Sequence, residues 1–336
     1  MRSGLIIAIF LLIIALFLPQ IASTSWGKPL FVKILEAKSR SKIEIGSLHL
    51  SWRGPQQFQQ LTWTQRNASG AIEELDIRAP LWSFSGPFHL KNGSISIQGI
   101  GLILETLSLQ GDILKKPFRE HAITLRDPLI APFRLTNIEA HHPLTLQIEP
   151  AGFSLPLPYA AEKLEVGRAT LNLDKIRCKK GKSVTALFAL LKATRLSKDN
   201  QMNVWCTPLS FHIHKGIVET ERMDALLADS IHICTWGHID LIKDQIDMVL
   251  GLPADTLQQF FGIKHLPKNY VLQIAIRGSI QEPEIVKGPA LAKIAALIAA
   301  GQLSKKGLLG NLAKPLFSLP EEKEAPPPQH PFPWEN

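Results

Sequence analysis

Four histidines in the second half of the chain have the residue type and spacing that could hold a metal ion. His212 and His214 alternate along one predicted strand and so share a face, and His232 and His238 could lie nearby. Imidazole nitrogens are common zinc ligands, but no Asp or Glu at ligand spacing completes the set. Histidines at this spacing are typical of a solvated strand face, so the sequence predicts no metal site.

The three cysteines are the other residues with reactive side chains. Cys178, Cys206 and Cys234 follow one another at intervals of 28 residues, which could place them on successive strands. Cys206 and Cys234 could form a disulfide in an oxidising compartment if their strands were neighbours. Packing of buried thiols in an apolar core is the simpler alternative.

The chain contains none of the short motifs that mark catalytic or nucleotide-binding sites. It has no CxxC pair, GxSxG elbow, HExxH sequence or Walker loop. No nucleophile or general base can therefore be named. We predict a protein without catalytic residues or a cofactor, and not an enzyme.

The charge balance indicates an acidic partner. Lys and Arg number 37 against 29 Asp and Glu, which gives a net charge of +8 across 336 residues. Anionic lipid and nucleic acid are the two common partners of such chains. Base stacking needs aromatic residues interleaved with basic ones, and no such cluster occurs, so we expect a membrane partner and no nucleic acid.

The N-terminus carries an uncharged stretch from Ser3 to Gly27, with the apolar run GLIIAIFLLIIALFL at 4–18. As a helix, these 25 residues would extend roughly 37 Å, which exceeds a hydrocarbon core of about 30 Å. A cleaved signal peptide beginning at Arg2 is the alternative, but bulky residues occupy the cleavage positions around 20–23. The pattern favours an uncleaved transmembrane signal-anchor over residues 1–27.

The orientation of this anchor depends on two opposing signals. Five basic residues between Lys28 and Lys42 follow the segment, and basic residues are usually retained in the cytoplasm. A short N-terminal tail before a large domain is typical of a signal-anchor that exports the domain. We expect the main domain outside the cytoplasm.

Most of the remaining chain alternates apolar and polar residues with a period of two, which is typical of β-strands. The strands are separated by Gly, Pro and Asn without long helical patterns, so we predict antiparallel meanders. The sequence IEIGSLHL at 43–50 is similar to LEVGRATLNL at 164–173, and this weak internal repeat indicates two β-rich units, at 28–159 and 160–287. The clearest alternating runs are 43–52, 73–79, 93–99, 102–111, 121–127, 133–140 and 143–149.

Three helices are predicted after the first β-rich unit. Ser183 can cap one at about 183–196, and Asp255 begins a short one that ends before Gly262. A basic amphipathic segment is predicted at 288–318, either as an interfacial helix or as a cap over the end of the sheet. Its candidate membrane-surface residues are Leu291, Lys293, Ile294, Ile298, Lys305 and Lys306. The Pro-rich tail at 319–336 is predicted to be extended or disordered, with Phe332 and Trp334 as a docking handle.

The order of four motifs resembles the C-terminal region of AsmA-like proteins, over about residues 160–300. They are FHIHKGIV at 211–218, WGHIDL at 236–241, IDMVLGLP at 246–253 and IAIRGSIQEPEI at 274–285. The resemblance implies a bacterial inner-membrane anchor and a periplasmic, β-rich groove whose apolar surface carries lipid acyl chains. It also implies a relation to bridge-like lipid-transfer proteins.

The expected fold is mainly β with a few helices: a transmembrane helix, a long curled antiparallel sheet forming a groove or open sandwich, and a C-terminal amphipathic helix. A closed sandwich gives the same alternation, so the periodicity leaves both open. We expect a single-pass inner-membrane protein that binds or transfers phospholipid-type chains in envelope or outer-membrane biogenesis. The alternative is an envelope scaffold that carries no lipid and binds protein partners through its sheet edge or tail. The groove candidates are Leu241, Met248, Leu250, Leu272, Ile274 and Ile276.

Overall fold

A computed structural model describes most of the chain from Phe17 onwards. The described residues are 17–39, 41–66, 68–98, 101–116, 120–136, 138–157, 159–179, 185, 187–189, 191, 201–263, 266–280, 282–304 and 324–335. No helix within these ranges is both long and apolar enough to cross a membrane. The transmembrane helix predicted at 1–27 therefore has no support there, and its residues 1–16 lie outside the described ranges.

The chain divides into two compact units. Unit 1 contains residues 1–136 and 146–167, and unit 2 contains residues 137–145 and 168–336. One boundary was predicted at 159/160, and the sequence did not indicate that 137–145 joins the second unit. The chain passes between the units three times: at 136/137, within β9 (Leu144–Ile148) and within β11 (Val166–Asn172).

Unit 1 begins with helix α1 (Lys28–Ser39) and continues with antiparallel strands that mostly pair with their neighbours in sequence. β1 to β6 pair consecutively, β7 pairs with β5, and β10 pairs with β6. The strands are β1 (Lys42–His49), β2 (Gln56–Thr64), β3 (Ala68–Ile77), β4 (Gly86–Ile97), β5 (Leu102–Lys116), β6 (Glu120–Leu125), β7 (Leu129–Leu135) and β10 (Leu155–Leu157).

Unit 2 is also an antiparallel meander, in which β14 to β19 pair consecutively. Helix α2 (Ala254–Phe261) packs on β16 and β17, and helix α3 (Lys287–Ser304) packs on β18. The strands are β8 (Ile138–Ala140), β12 (Lys175–Lys179), β13 (Gln201–Cys206), β14 (Leu209–His214), β15 (Ile217–Leu227), β16 (Ile231–Asp240), β17 (Gln245–Pro253), β18 (Val271–Gly278) and β19 (Pro283–Ile285).

The prediction of a mainly β, antiparallel chain with few helices is confirmed. Each of the seven alternating runs overlaps at least one strand. Helix α2 matches the predicted Asp255 helix and ends at Gly262, whose left-handed φ of 66° closes it. Of the helix predicted at 183–196, residues 185 and 187–189 are described and helical, and Leu187, Phe188 and Leu191 are buried as the pattern indicates.

Candidate functional site

The sheet of unit 1 has one continuous apolar face. The register places Ile45 opposite Leu61, Leu61 opposite Ile72, and Ile72 opposite Gly93. A second row joins Leu48, Phe58, Leu75, Leu90 and Leu109 across the same five strands. The opposite face carries polar residues such as Gln57, Asp76, His89 and Gln110. The two faces therefore have opposite character over β1 to β5.

Each of these five strands carries an irregularity; those of β1 to β4 lie opposite one another, whereas that of β5 lies opposite Ser94, further along β4. In each strand the alternation of apolar and polar residues is interrupted by two consecutive residues that lie outside the apolar face. Beyond this doublet the alternation resumes with the same face apolar. Gln60, Asn92 and Thr106 in these doublets have positive φ angles of 52°, 50° and 52°. Because bulge-like irregularities bend strands, a line of them creases the sheet. The doublets are 46–47, 59–60, 73–74, 91–92 and 105–106.

Helix α1 packs on the apolar face beside this crease and contacts residues on both sides of it, Ile45 and Leu48 among them. Its Phe31, Val32 and Leu35 pack against a buried cluster that includes Leu48 and Phe58. On the side of the crease that carries Trp63, Ile45 is buried, but five other apolar residues are only half-buried. They are Leu61, Trp63, Ile72, Ile95 and Leu104, defined here as the open row.

The open row has its bulkiest side chain at Trp63, which faces Gly70 on the next strand. A Cβ built on Gly70 would lie 2.0 Å from the Trp63 ring, so only glycine leaves room for the indole to lie flat on the sheet. A half-exposed aromatic ring flanked by aliphatic side chains is a surface that an acyl chain can contact along its length. We therefore take the open row as the candidate lipid-contact surface.

The groove residues predicted from sequence lie in unit 2, and five of the six share one face. Met248 pairs with Ile276 and Leu250 with Ile274, while Leu272 occupies the next position along β18. Leu250, Leu272 and Ile274 are fully buried, whereas Met248 and Ile276 are half-buried. Leu241 follows β16, and its backbone N–H donates to Gly216. This face is thus core at one end and partly open at the other.

A cleft of about 740 Å³ opens beside the turn between β16 and β17, but its chemistry does not suit an acyl chain. Its lining is mostly charged or polar and includes Asp240, Lys243, Asp247 and Arg277. Burying such groups against hydrocarbon costs free energy. The apolar strand faces are the better acyl-chain candidates.

The predicted membrane-surface helix packs on the protein through part of its apolar face. Ile294 and Leu297 are buried, Ile298 is half-buried, and Leu291 is 52% exposed. The Lys293 ammonium group donates to the Gln273 carbonyl of β18. α3 therefore acts as a cap on the sheet over residues 291–298, which was one of the two predicted alternatives. Lys305 and Lys306 lie outside the described residues.

The four histidines and three cysteines considered above lie on strands of unit 2. Among the described residues, no group of three or more His, Cys, Asp or Glu could hold a metal ion. Cys206 and Cys234 are free thiols, because β15 lies between their strands and pairs with both. Burial raises the pKa of each of these thiols to about 12, which makes them poor nucleophiles.

Unit 2 contains a buried charge cluster that the sequence analysis missed. The Arg222 guanidinium donates from Nε and Nη2 to the two Asp224 oxygens at 2.9 and 2.7 Å. His232 Nε2 contacts Asp224 at 3.0 Å, and His232 Nδ1 contacts Asp255 at 2.9 Å. The Asp224 and Arg222 side chains are 0% and 7% exposed. Together with Thr256, which donates to the His232 carbonyl, these residues tie α2 to β15 and β16.

The two carboxylates decide the protonation of His232. Burial alone would lower its pKa, but the hydrogen bonds and charges of Asp224 and Asp255 outweigh burial and raise the pKa to about 9. Burial alone would raise the pKa of Asp255, but the charge of His232 outweighs burial and lowers this pKa. At neutral pH His232 is therefore protonated and lies between the two acidic side chains.

This protonation predicts a loss of stability at alkaline pH. The pKa of His232 is raised above its ordinary value of 6.5, so its stabilisation is complete below pH 6.5 and is lost as pH rises through about 9. Urea unfolding of the full chain between pH 6.5 and 10 should show a decrease of at most about 3 kcal/mol from this group. His232→Gln should remove that dependence, whereas the exposed control His238→Gln should retain it. Equal pH profiles for both variants would contradict this account.

The C-terminal residues lie on this cluster. Phe332 is 6% exposed, its ring stacks on that of Trp334 with the centroids 4.8 Å apart, and both rings make T-shaped contacts with His232. The tail was expected to be extended or disordered over 319–336, and these contacts hold residues 324–335 in a segment without helix or strand. The docking role of Phe332 and Trp334 stays a prediction.

Comparison with known proteins adds no relative: no family model, no curated protein and no solved structure matches this chain. The functional argument therefore rests on the sequence motifs and on the geometry described above.

Proposed function

We propose that this chain is an AsmA-like envelope protein that binds lipid acyl chains along the apolar faces of its β-sheets and passes them between membranes. The observation that carries the proposal is the open row of unit 1, in which Leu61, Ile95 and Leu104 pack partly on neighbouring buried clusters while the ring of Trp63 stays half-exposed on the sheet. The partly open end of the unit 2 face, at Met248 and Ile276, offers a second surface of the same character.

The proposed location is the bacterial inner membrane, with a single N-terminal span and the main domain in the periplasm. The uncharged stretch Ser3–Gly27 supports the anchor, and the resemblance to AsmA-like proteins supports the compartment. The basic segment 287–314, which contains no acidic residue, is proposed to contact anionic headgroups. This role is compatible with the cap formed by Ile294 and Leu297, because Leu291 remains exposed.

The acyl-chain proposal predicts photo-crosslinking at the open row. The full chain in bilayers that contain a phospholipid with a photoreactive acyl chain should crosslink at Trp63 and its neighbours. Trp63→Glu should reduce this crosslinking at least about tenfold, because a carboxylate beside hydrocarbon costs more than about 1.4 kcal/mol. Peptide mass spectrometry would locate the crosslinks.

Thr62→Glu is the matched control, since Thr62 is exposed on the opposite face of β2. This variant should crosslink as the natural chain does. Equal crosslinking of the two variants would contradict the open row as the contact surface. The absence of lipid crosslinks from all three proteins would instead favour an envelope scaffold that carries no lipid.

A further inference from the structure

The charge cluster engages two of the three guanidinium nitrogens of the buried Arg222 side chain. Nε and Nη2 are engaged by Asp224, and Nη1 donates to the Pro326 carbonyl at 2.8 Å. The acceptor comes from a segment 104 residues further along the chain. A peptide of any sequence can supply a main-chain carbonyl, so this hydrogen bond from Arg222 positions the backbone of the segment that binds there.

The His232 ring provides the second contact. Both of its nitrogens contact carboxylates, which fixes the orientation of the ring. The ring centroids of Phe332 and Trp334 lie 5.1 and 5.6 Å from that of His232, at interplanar angles of 69° and 65°. A protonated imidazole beside two aromatic rings is an attractive arrangement. The His232 ring therefore favours a peptide that carries two aromatic side chains two residues apart.

The tail binds as a peptide ligand does rather than as a strand. Residues 324–335 include five prolines and form no strand within the described part of the tail. Proline restricts the free segment, so little conformational entropy is lost when it binds. The chain thus contains a preformed surface that recognises a main-chain carbonyl and two aromatic rings. It also contains an extended segment that fits this surface.

We propose that Arg222, His232 and Asp255 form a binding site for proline-rich peptides that carry an aromatic pair, and that residues 324–335 are its built-in occupant. A partner segment of the same chemistry binds by displacing this tail. The site does not depend on the proposed lipid function, because it uses the polar cluster and neither of the apolar faces proposed for acyl chains.

The test uses the full chain and a fluorescent synthetic peptide with the sequence of residues 324–335. In the natural chain the attached tail competes at an effective concentration in the millimolar range, so binding in trans should be weak. The double substitution Phe332→Ala and Trp334→Ala weakens the tail and should tighten binding of the peptide at least tenfold. A peptide with both aromatic residues replaced by Ala should not bind to either protein.

Trp82→Ala is the control, because Trp82 is an exposed aromatic residue of unit 1. This variant should bind the peptide as weakly as the natural chain. Unchanged weak binding to the tail double variant would overturn the proposal. Loss of the circular dichroism signal in that variant would also overturn it, because the tail would then be a permanent part of the fold.

Discussion

Asp224→Asn should lower the free energy of unfolding of unit 2 by about 3–5 kcal/mol, the range for removing one member of a buried ion pair. The Asp224 side chain is fully buried and accepts from both Arg222 and His232. An amide keeps the shape of the carboxylate, but it removes the charge and directs an N–H₂ group towards donors. Arg222 would then be a buried cation without its counter-ion. Urea unfolding followed by circular dichroism measures the difference.

Asp247→Asn is the matched control for this change. Asp247 lies in the same unit, is 52% exposed, and meets Arg277 Nε at 3.4 Å. An exposed ion pair contributes about 1 kcal/mol or less, so the control should be nearly neutral. A loss below 1 kcal/mol for Asp224→Asn would show that solvent or another group compensates Arg222, and the cluster would not be structural.

The strands and helix α2 were predictable because their signals are local. Alternation with a period of two identifies the strands of both units, and an acidic first turn followed by Gly262 delimits α2. Each of these signals lies within a window of about ten residues. These local patterns were therefore sufficient to predict the strands and α2. The candidate surfaces lie on these strands.

The open row was missed although a signal for it exists in the sequence. The doublets change the spacing of apolar residues from i, i+2 to i, i+3 once in each of five strands, as in Ile45 to Leu48 and Phe58 to Leu61. A single such step resembles a loss of periodicity. Only the strand register shows that the steps in β1 to β4 align and that one face stays apolar through all five strands.

The charge cluster could not be derived from the sequence, because its partners come from distant segments. Arg222 and Asp224 stand two residues apart in a strand, which places them on one face. Nothing local indicates that Asp255 and Pro326 meet that face, since the latter is 104 residues away. His232 was accordingly considered as a metal ligand, whereas its two nitrogens contact two carboxylates.

Ile274→Glu should abolish the folded state of unit 2, with a loss of more than about 4 kcal/mol. Ile274 is 1% exposed and lies opposite Leu250 in the centre of β17 and β18. Glu at this position removes a large aliphatic contact and introduces a carboxyl group without a partner. The sequence analysis placed Ile274 in the acyl groove, but its burial in the protein makes it part of the core that holds the strands together.

Met248→Glu is the informative companion to this variant, because Met248 lies on the same face at its half-buried end. There the carboxylate can reach solvent, so the expected loss of stability is below about 2 kcal/mol and the chain should remain folded. Circular dichroism and urea unfolding of both variants would show which end of this strand face is core and which end is open surface. If Ile274→Glu instead remained folded and lost bound lipid, the buried end of this face would open for acyl chains, and the groove in unit 2 would extend beyond Met248.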